Sequence, residues 1–131
     1  MKKQPVSHRD LDVYQRALRG YARIVELTAR LPSSERFELV SQVRASARSV
    51  CSCMAEAWRK KPYPPAFASK LVEAESEAAE TQTWGDIMLI HDYITQDELA
   101  EVIETYDHIL AQFVSLRTTS REWKARPKTV R

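Results

Sequence analysis

With 131 residues, 44% of them hydrophobic and 29% charged, the chain is long enough to bury a core without disulfide or metal staples. Two glycines, Gly20 and Gly85, and six prolines supply too little turn chemistry for a β-rich architecture, so the composition selects an all-α fold. The formal net charge of +2 conceals three blocks: 14 Lys/Arg against 6 Asp/Glu in residues 1–70, none against 11 in residues 71–116, and 6 against 1 in residues 117–131.

The first helix is expected over residues 10–31, where Leu11, Tyr14, Leu18, Tyr21, Val25 and Thr28 recur at steps of three and four. Pro32-Ser33-Ser34-Glu35 ends it and is expected to cap the next. The second helix, residues 35–59, turns Val40, Val43, Ala47, Val50 and Met54 inward. Arg59, Lys60 and Lys61 suit its negative carboxyl end, and Pro62, Pro64 and Pro65 prevent its continuation. The third, residues 65–92, carries Phe67, Leu71, Ala74, Ala78, Thr81, Gly85 and Met88 in the same rhythm. Thr95-Gln96-Asp97-Glu98 has the pattern of a capping box. It opens a fourth helix, residues 96–120, with Leu99, Val102, Ile103, Tyr106, Ile109, Leu110, Phe113 and Leu116 on one side. Residues 121–131 form a basic, aperiodic tail that is expected to fray. Four helices of similar length with short connections predict one domain, an antiparallel up-down-up-down four-helix bundle.

The longest obvious apolar run is Ile87-Met88-Leu89-Ile90, and Lys2-Lys3 is followed by no apolar leader core. A cytoplasmic protein with no membrane partner is therefore expected. Cys51 and Cys53, two apart on a helix, point about 200° away from each other and neither bridge nor share an ion.

The second helix is written largely in small residues: Ser41, Ala45, Ser46, Ala47, Ser49, Cys51, Ser52, Cys53, Ala55 and Ala57. A surface helix needs one apolar stripe only. Short side chains around most of the circumference predict close neighbours on two fronts, the chain's own core and an adjoining subunit. Ala45, Ser49, Ser52, Cys53 and Glu56 are the candidate subunit interface. The charge blocks admit two arrangements: the basic and acidic halves lie side by side within one subunit, or a basic face meets the acidic face of the next copy. The second contact is heterologous and closes rings.

Gln42-Val43-Arg44-Ala45, Ser49-Val50 and Met54-Ala55-Glu56 follow Leu31-Pro32-Ser33-Ser34-Glu35 and precede Phe67, Leu71, Ala74, Glu80 and Thr83. This pattern, over residues 11–116, resembles the four helix bundle protein family, also called the 23S ribosomal RNA intervening-sequence or S23 family. The family's usual Asn-Ile-Ala-Glu-Gly stands here as Cys53-Met54-Ala55-Glu56-Ala57, and its Gly-Ser in the third helix as Ser76-Glu77. The resemblance implies a bacterial up-down bundle that forms homopentameric rings. A relative, the accessory variability protein of diversity-generating retroelements, implies a positively charged barrel surface that works with nucleic acid and a reverse transcriptase.

Bundles often hold di-iron sites built on Glu-x-x-His pairs. Here His8, His91 and His108 are preceded three residues earlier by Pro5, Met88 and Thr105, so no metal is expected. No nucleophile elbow or glycine-rich phosphate loop occurs either, and the chain reads as a non-enzyme without cofactor. The basic residues are more informative. Arg44, Arg48 and Arg59 fall within about 60° on a helical wheel, beside Ser41 and Ser52. Facing a ring channel, this stripe would multiply into guanidinium groups that contact phosphates of RNA or DNA without reading bases. Trp58-Arg59-Lys60-Lys61-Pro62-Tyr63 interleaves aromatics with cations, as base stacking beside phosphate neutralisation requires, although helix-end electrostatics accounts for it equally well. Arg44, Arg48, Arg59, Lys60 and Lys61 are thus the candidate nucleic-acid contacts. The alternative is a protein-interaction scaffold in which the same charges pair with acids of an adjacent subunit or a protein partner.

Overall fold

The computed structural model describes the backbone of residues 4–125 and the side chains of residues 4–119. Within them the chain forms four helices, α1 (Asp12–Thr28), α2 (Leu39–Arg59), α3 (Pro64–Ile90) and α4 (Gln96–Ala125). Short 3-10 turns span His8–Asp10 and Ser33–Glu35, and the described residues contain no strand. Each helix packs on its two neighbours in the cyclic order α1-α2-α3-α4. The contacts run antiparallel at every seam: Glu56 pairs with Lys70 while Ser46 meets Thr81, and Arg23 pairs with Glu101 while Asp12 meets Gln112. This is the up-down-up-down bundle.

α2 and α3 pack through short side chains. Ser46, Ala47, Cys53 and Ala57 of α2 are buried, as are Ala74, Ala78 and Thr81 of α3. At the centre Ser46 Oγ and Thr81 Oγ1 lie 2.8 Å apart. Each also approaches a carbonyl of its own helix, Val43 at 3.1 Å and Glu77 at 2.9 Å. Two protons serve these three contacts, so one hydroxyl donates across the seam and the other donates to its own helix. The buried pair is thereby satisfied and fixes the register of the two rods. Larger residues from the remaining helices fill the rest of the core, among them Ile24, Leu27, Tyr106, Ile109 and Phe113.

Three expectations are corrected. The inward face of α1 is Val13, Ala17, Gly20, Ile24, Leu27 and Thr28, whereas Leu11, Tyr14, Tyr21 and Val25 are half-buried and Leu18 is exposed. α1 carries two adjoining apolar stripes, and the one containing Ala17 and Gly20 wins because it lets Tyr106 of α4 come close. Residues 33–35 form a 3-10 turn, not the start of α2, and the Glu38 side chain makes no cap hydrogen bond. α4 continues as helix to Ala125 rather than ending at 120, and residues 126–131 of the expected tail lie outside the described residues. The Thr95 capping box forms as expected: Thr95 N–H donates to Glu98 Oε1 at 2.9 Å, and Glu98 N–H to Thr95 Oγ1 at 3.1 Å.

Tyr106 is 1% exposed, and its hydroxyl has no hydrogen-bond partner. A Cβ placed on Gly20 would sit 2.9 Å from that hydroxyl oxygen. Gly20→Ala should therefore destabilise the bundle by about 1–3 kcal/mol through overpacking. Tyr106→Phe should be neutral or stabilising by up to about 1 kcal/mol, because no hydrogen bond is lost, and it should rescue Gly20→Ala. Denaturant midpoints of the two single variants and the double variant check this; additive effects would disprove the contact.

Arg30 at the end of α1 holds Glu98 in two hydrogen bonds, Nη1 to Oε2 at 3.0 Å and Nη2 to Oε1 at 2.8 Å. Arg30, then the Thr95 amide, hold the Glu98 carboxyl down from 4.5 to about 2. A carboxylate depressed on folding contributes stability above its unfolded pKa and loses it as pH falls through the folded value. Acid should therefore weaken the bundle between pH 4.5 and about 2, and Glu98→Gln should flatten that part of the curve. Thermal melts of both forms across this window measure the difference.

Candidate nucleic-acid interface

Several of the bundle's cations answer its own acids. Arg16 pairs with Asp12, Arg23 of α1 and Arg30 just beyond it with Glu101 and Glu98 of α4, Lys70 with Glu56 and Glu73, and Arg117 with Glu75, whereas Arg9, Arg19 and Arg36 form no ion pair among the described residues. The basic and acidic blocks thus lie side by side within one subunit. These pairs are partly exposed, which keeps their individual worth near 0–1 kcal/mol, about the usual range. Arg117, expected to belong with the tail charges, is committed to Glu75 at 2.6 Å.

On α2 the unpaired cations share one stripe. Among the described residues no ion pair forms with Arg44, Arg48, Arg59 or Lys60. Arg44 is half-buried and bonds only to neutral groups: Nε donates to Thr28 Oγ1 at 2.8 Å and Nη2 to the Val25 carbonyl at 3.4 Å. Thr28 passes its own proton to the Ile24 carbonyl at 2.7 Å. Arg44 is therefore anchored to α1 with its charge uncompensated. Arg48 is exposed with its guanidinium 5.8 Å from the Tyr21 ring centroid, and Arg59 and Lys60 are exposed where α2 ends. Lys61 Nζ lies 3.9 Å from the centroid of the Trp58 ring. All five predicted residues share the side of α2 next to α1 or its carboxyl end.

The predicted interface set is divided. Ala45, Ser52 and Glu56 are exposed and Ser49 is half-buried, all on the outer part of α2 towards α3. Cys53 is 5% exposed and belongs to the protomer's own core, so it is corrected out of any surface set. Four of the ten small residues, Ser46, Ala47, Cys53 and Ala57, are thus buried in the protomer, and the exposed Ser41, Ala45 and Ser52 form a flank beside the arginine stripe.

The sequence reading included Tyr63, which is 70% exposed in the turn before α3, but missed Tyr14 and Tyr21: taken as core, they are half-buried along the α1–α2 seam. The available signal was the second apolar stripe of α1, whose members lie one position away from the small residues Ala17 and Gly20.

Elsewhere, a polar groove of about 670 Å³ runs between α1 and α4, lined by Arg16, Arg19, Gly20, Arg23, Glu101 and His108. Its Arg23 and Glu101 already neutralise each other. No three His, Cys, Asp or Glu among the described residues converge as a metal site, and no described helix is long and apolar enough to cross a membrane. Burial pushes the thiols of Cys51 and Cys53 up to about 11. Both should therefore react with a thiol-specific reagent near neutral pH roughly ten-fold or more slowly in the native chain than in denaturant. Reagent kinetics in the two states decide the matter, and equal rates would overturn it.

Fold and surface together define an all-α, up-down helical bundle with a basic face left unneutralised along one seam. The family model for the 23S rRNA-intervening sequence protein matches residues 9–115, and the chain belongs to that family. Among solved structures it is similar to a protein of unknown function from the S23 ribosomal protein family of Bacteroides thetaiotaomicron VPI-5482. The two are 25% identical with a TM-score of 0.73, over 81% of this chain and 95% of the other. No curated protein matches the chain.

Proposed function

We propose that the chain is a non-enzymatic, self-assembling helical bundle, a pentameric ring by family likeness, that serves as a nucleic-acid-associated adaptor. The face it uses is the basic stripe of α2, with Arg48, Arg59, Lys60 and Lys61 as phosphate contacts and Arg44 as an anchored charge behind them. The observation that carries this reading is the missing compensation. Arg23, Arg30, Arg117 and Lys70 at the α1–α4, α3–α4 and α2–α3 seams find carboxylates. Arg19 stays unpaired as a single cation in the α1–α4 groove, while Arg44, Arg48, Arg59 and Lys60 are four such cations on one helix and its end among the described residues. Uncompensated guanidinium and ammonium groups in a row attract polyanions, and such attraction weakens steeply with salt.

Labelled RNA and DNA, single-stranded and duplex, titrated at roughly 50 and 200 mM salt, test the reading. Binding should fall sharply between the two salts, and replacing Arg48 and Arg59 by Ala should lower the salt slope by about one per contact. No binding at the lower salt rejects it.

A second reading, a protein-interaction scaffold, draws on the outer face of α3. There Glu77 and Glu80 have no ion-pair partner among the described residues, and burial followed by repulsion from Glu80 and Glu73 holds the Glu77 carboxyl above its usual value. An arginine stripe from another copy would relieve that repulsion. Arg48→Glu with Arg59→Glu separates the two readings. Dissociation of the assembly favours the scaffold, and an intact assembly with lost nucleic-acid affinity favours the adaptor. These positions suit the test better than Arg44, whose loss would also disturb Thr28.

A further inference from the structure

Both ends of the bundle expose large apolar side chains, but their electrostatic surroundings are opposite. At one end Phe37 is 85% and Ile90 77% exposed, with Arg36 5.7 Å from the Phe37 ring centroid but Glu35, Glu38 and Asp92 around them in the chain. At the other, Tyr63 is 70% exposed and follows Arg59, Lys60 and Lys61 in the chain after Pro62 alone. The first end offers one cation among three acids, whereas the second sets an open aromatic ring beside three successive cations.

The turn that carries Tyr63 is closed by successive backbone bonds. Lys60 N–H donates to the Ala57 carbonyl at 2.9 Å, Lys61 N–H to Trp58 at 3.2 Å, and Tyr63 N–H to Lys60 at 2.8 Å. The Tyr63 carbonyl accepts from Phe67 N–H at 3.0 Å, and Phe67 is buried in the core. Pro62, Pro64 and Pro65 restrict the backbone on both sides. The ring is therefore carried on a turn whose shape is already set, so stacking a partner on it costs little chain entropy. Nothing in the protomer's core uses the ring.

We propose that Tyr63 is a base-stacking platform, and that the basic end formed by Arg59, Lys60, Lys61 and Tyr63 takes an unpaired nucleic-acid strand in preference to a duplex. The inference rests on the adaptor reading and names its ligand class. A duplex offers its phosphates but hides its base faces, whereas a single strand presents both to a site that alternates cations with an aromatic. From Arg48 to Arg59 the helix rises about 16 Å, enough to follow several nucleotides along the α1–α2 seam towards Tyr63. Readout is sequence-tolerant, because every base has a π-face and no side chain here is placed to read hydrogen-bonding edges.

The test compares full-length chain, Tyr63→Ala and Tyr63→Phe for binding to a labelled oligothymidylate, an oligouridylate and a hairpin duplex of matched charge at low salt. Circular dichroism and size-exclusion profiles are recorded for each variant. Tyr63→Ala should weaken single-strand binding roughly ten-fold and leave the duplex unchanged, and Tyr63→Phe should retain wild-type affinity. Equal losses for strand and duplex, or no loss with Tyr63→Ala, overturn the inference while leaving the adaptor reading in place. A change in oligomeric state with unchanged strand affinity overturns it too and assigns Tyr63 to a protein contact. Absence of binding to every probe by the wild-type chain removes the adaptor reading and this inference together.

Discussion

The close approach of α2 and α3 is the constraint from which the rest of the bundle follows. Ser46, Ala47, Cys53 and Ala57 on one rod and Ala74, Ala78 and Thr81 on the other leave no bulk between them. The buried Ser46–Thr81 contact then fixes how far one helix slides along the other. Misregistered by a turn, each hydroxyl would lose its partner across the seam and face apolar neighbours instead, a costly arrangement in a dry core. With that pair set, Tyr106, Phe113 and the aliphatic residues of α1 and α4 have a defined space to fill.

This packing also decides which charges meet. Antiparallel α1 and α4 bring Arg23 to Glu101 and Arg30 to Glu98, so much of the basic amino-terminal half is neutralised inside the subunit. α2 has α1 on one side and α3 on the other, and its arginines fall on the α1 side. α1 offers them a hydroxyl, a carbonyl and a tyrosine ring, but no carboxylate. The acids that might have answered them stand on the far side of α2, along α3. The proposed functional surface is the part of α2 that this internal pairing leaves open, and a partner that supplies negative charge, whether phosphate or carboxylate, would complete it.

Legibility in the sequence differed from element to element for physical reasons. α3 was readable residue by residue, since all seven predicted inward positions are buried. α3 is flanked by α2 and α4, and its small and large inward residues keep one register from Phe67 to Met88. α1 was misread because it carries two adjoining stripes. Periodicity alone does not say which faces inward, and the choice is made by Gly20 admitting the Tyr106 hydroxyl from 86 residues away in the chain. The start of α2 was misplaced because Ser33 and Ser34 look like caps, yet the chain spends them on a 3-10 turn before entering the helix at Leu39.

What the sequence by itself determined was the class of fold, the order and approximate extent of the four helices, the Thr95 capping box and the list of cations on α2. Each of these follows from local spacing and side-chain chemistry within a few turns of helix. Only the tertiary structure decided that Arg44 is tethered while Arg48 and Arg59 stay unpaired, that Cys53 is core, and that Tyr14 and Tyr21 lie half-buried beside the basic residues. Those outcomes depend on which carboxylate or backbone lies opposite a side chain across a seam, and that is set by packing between residues distant in the chain.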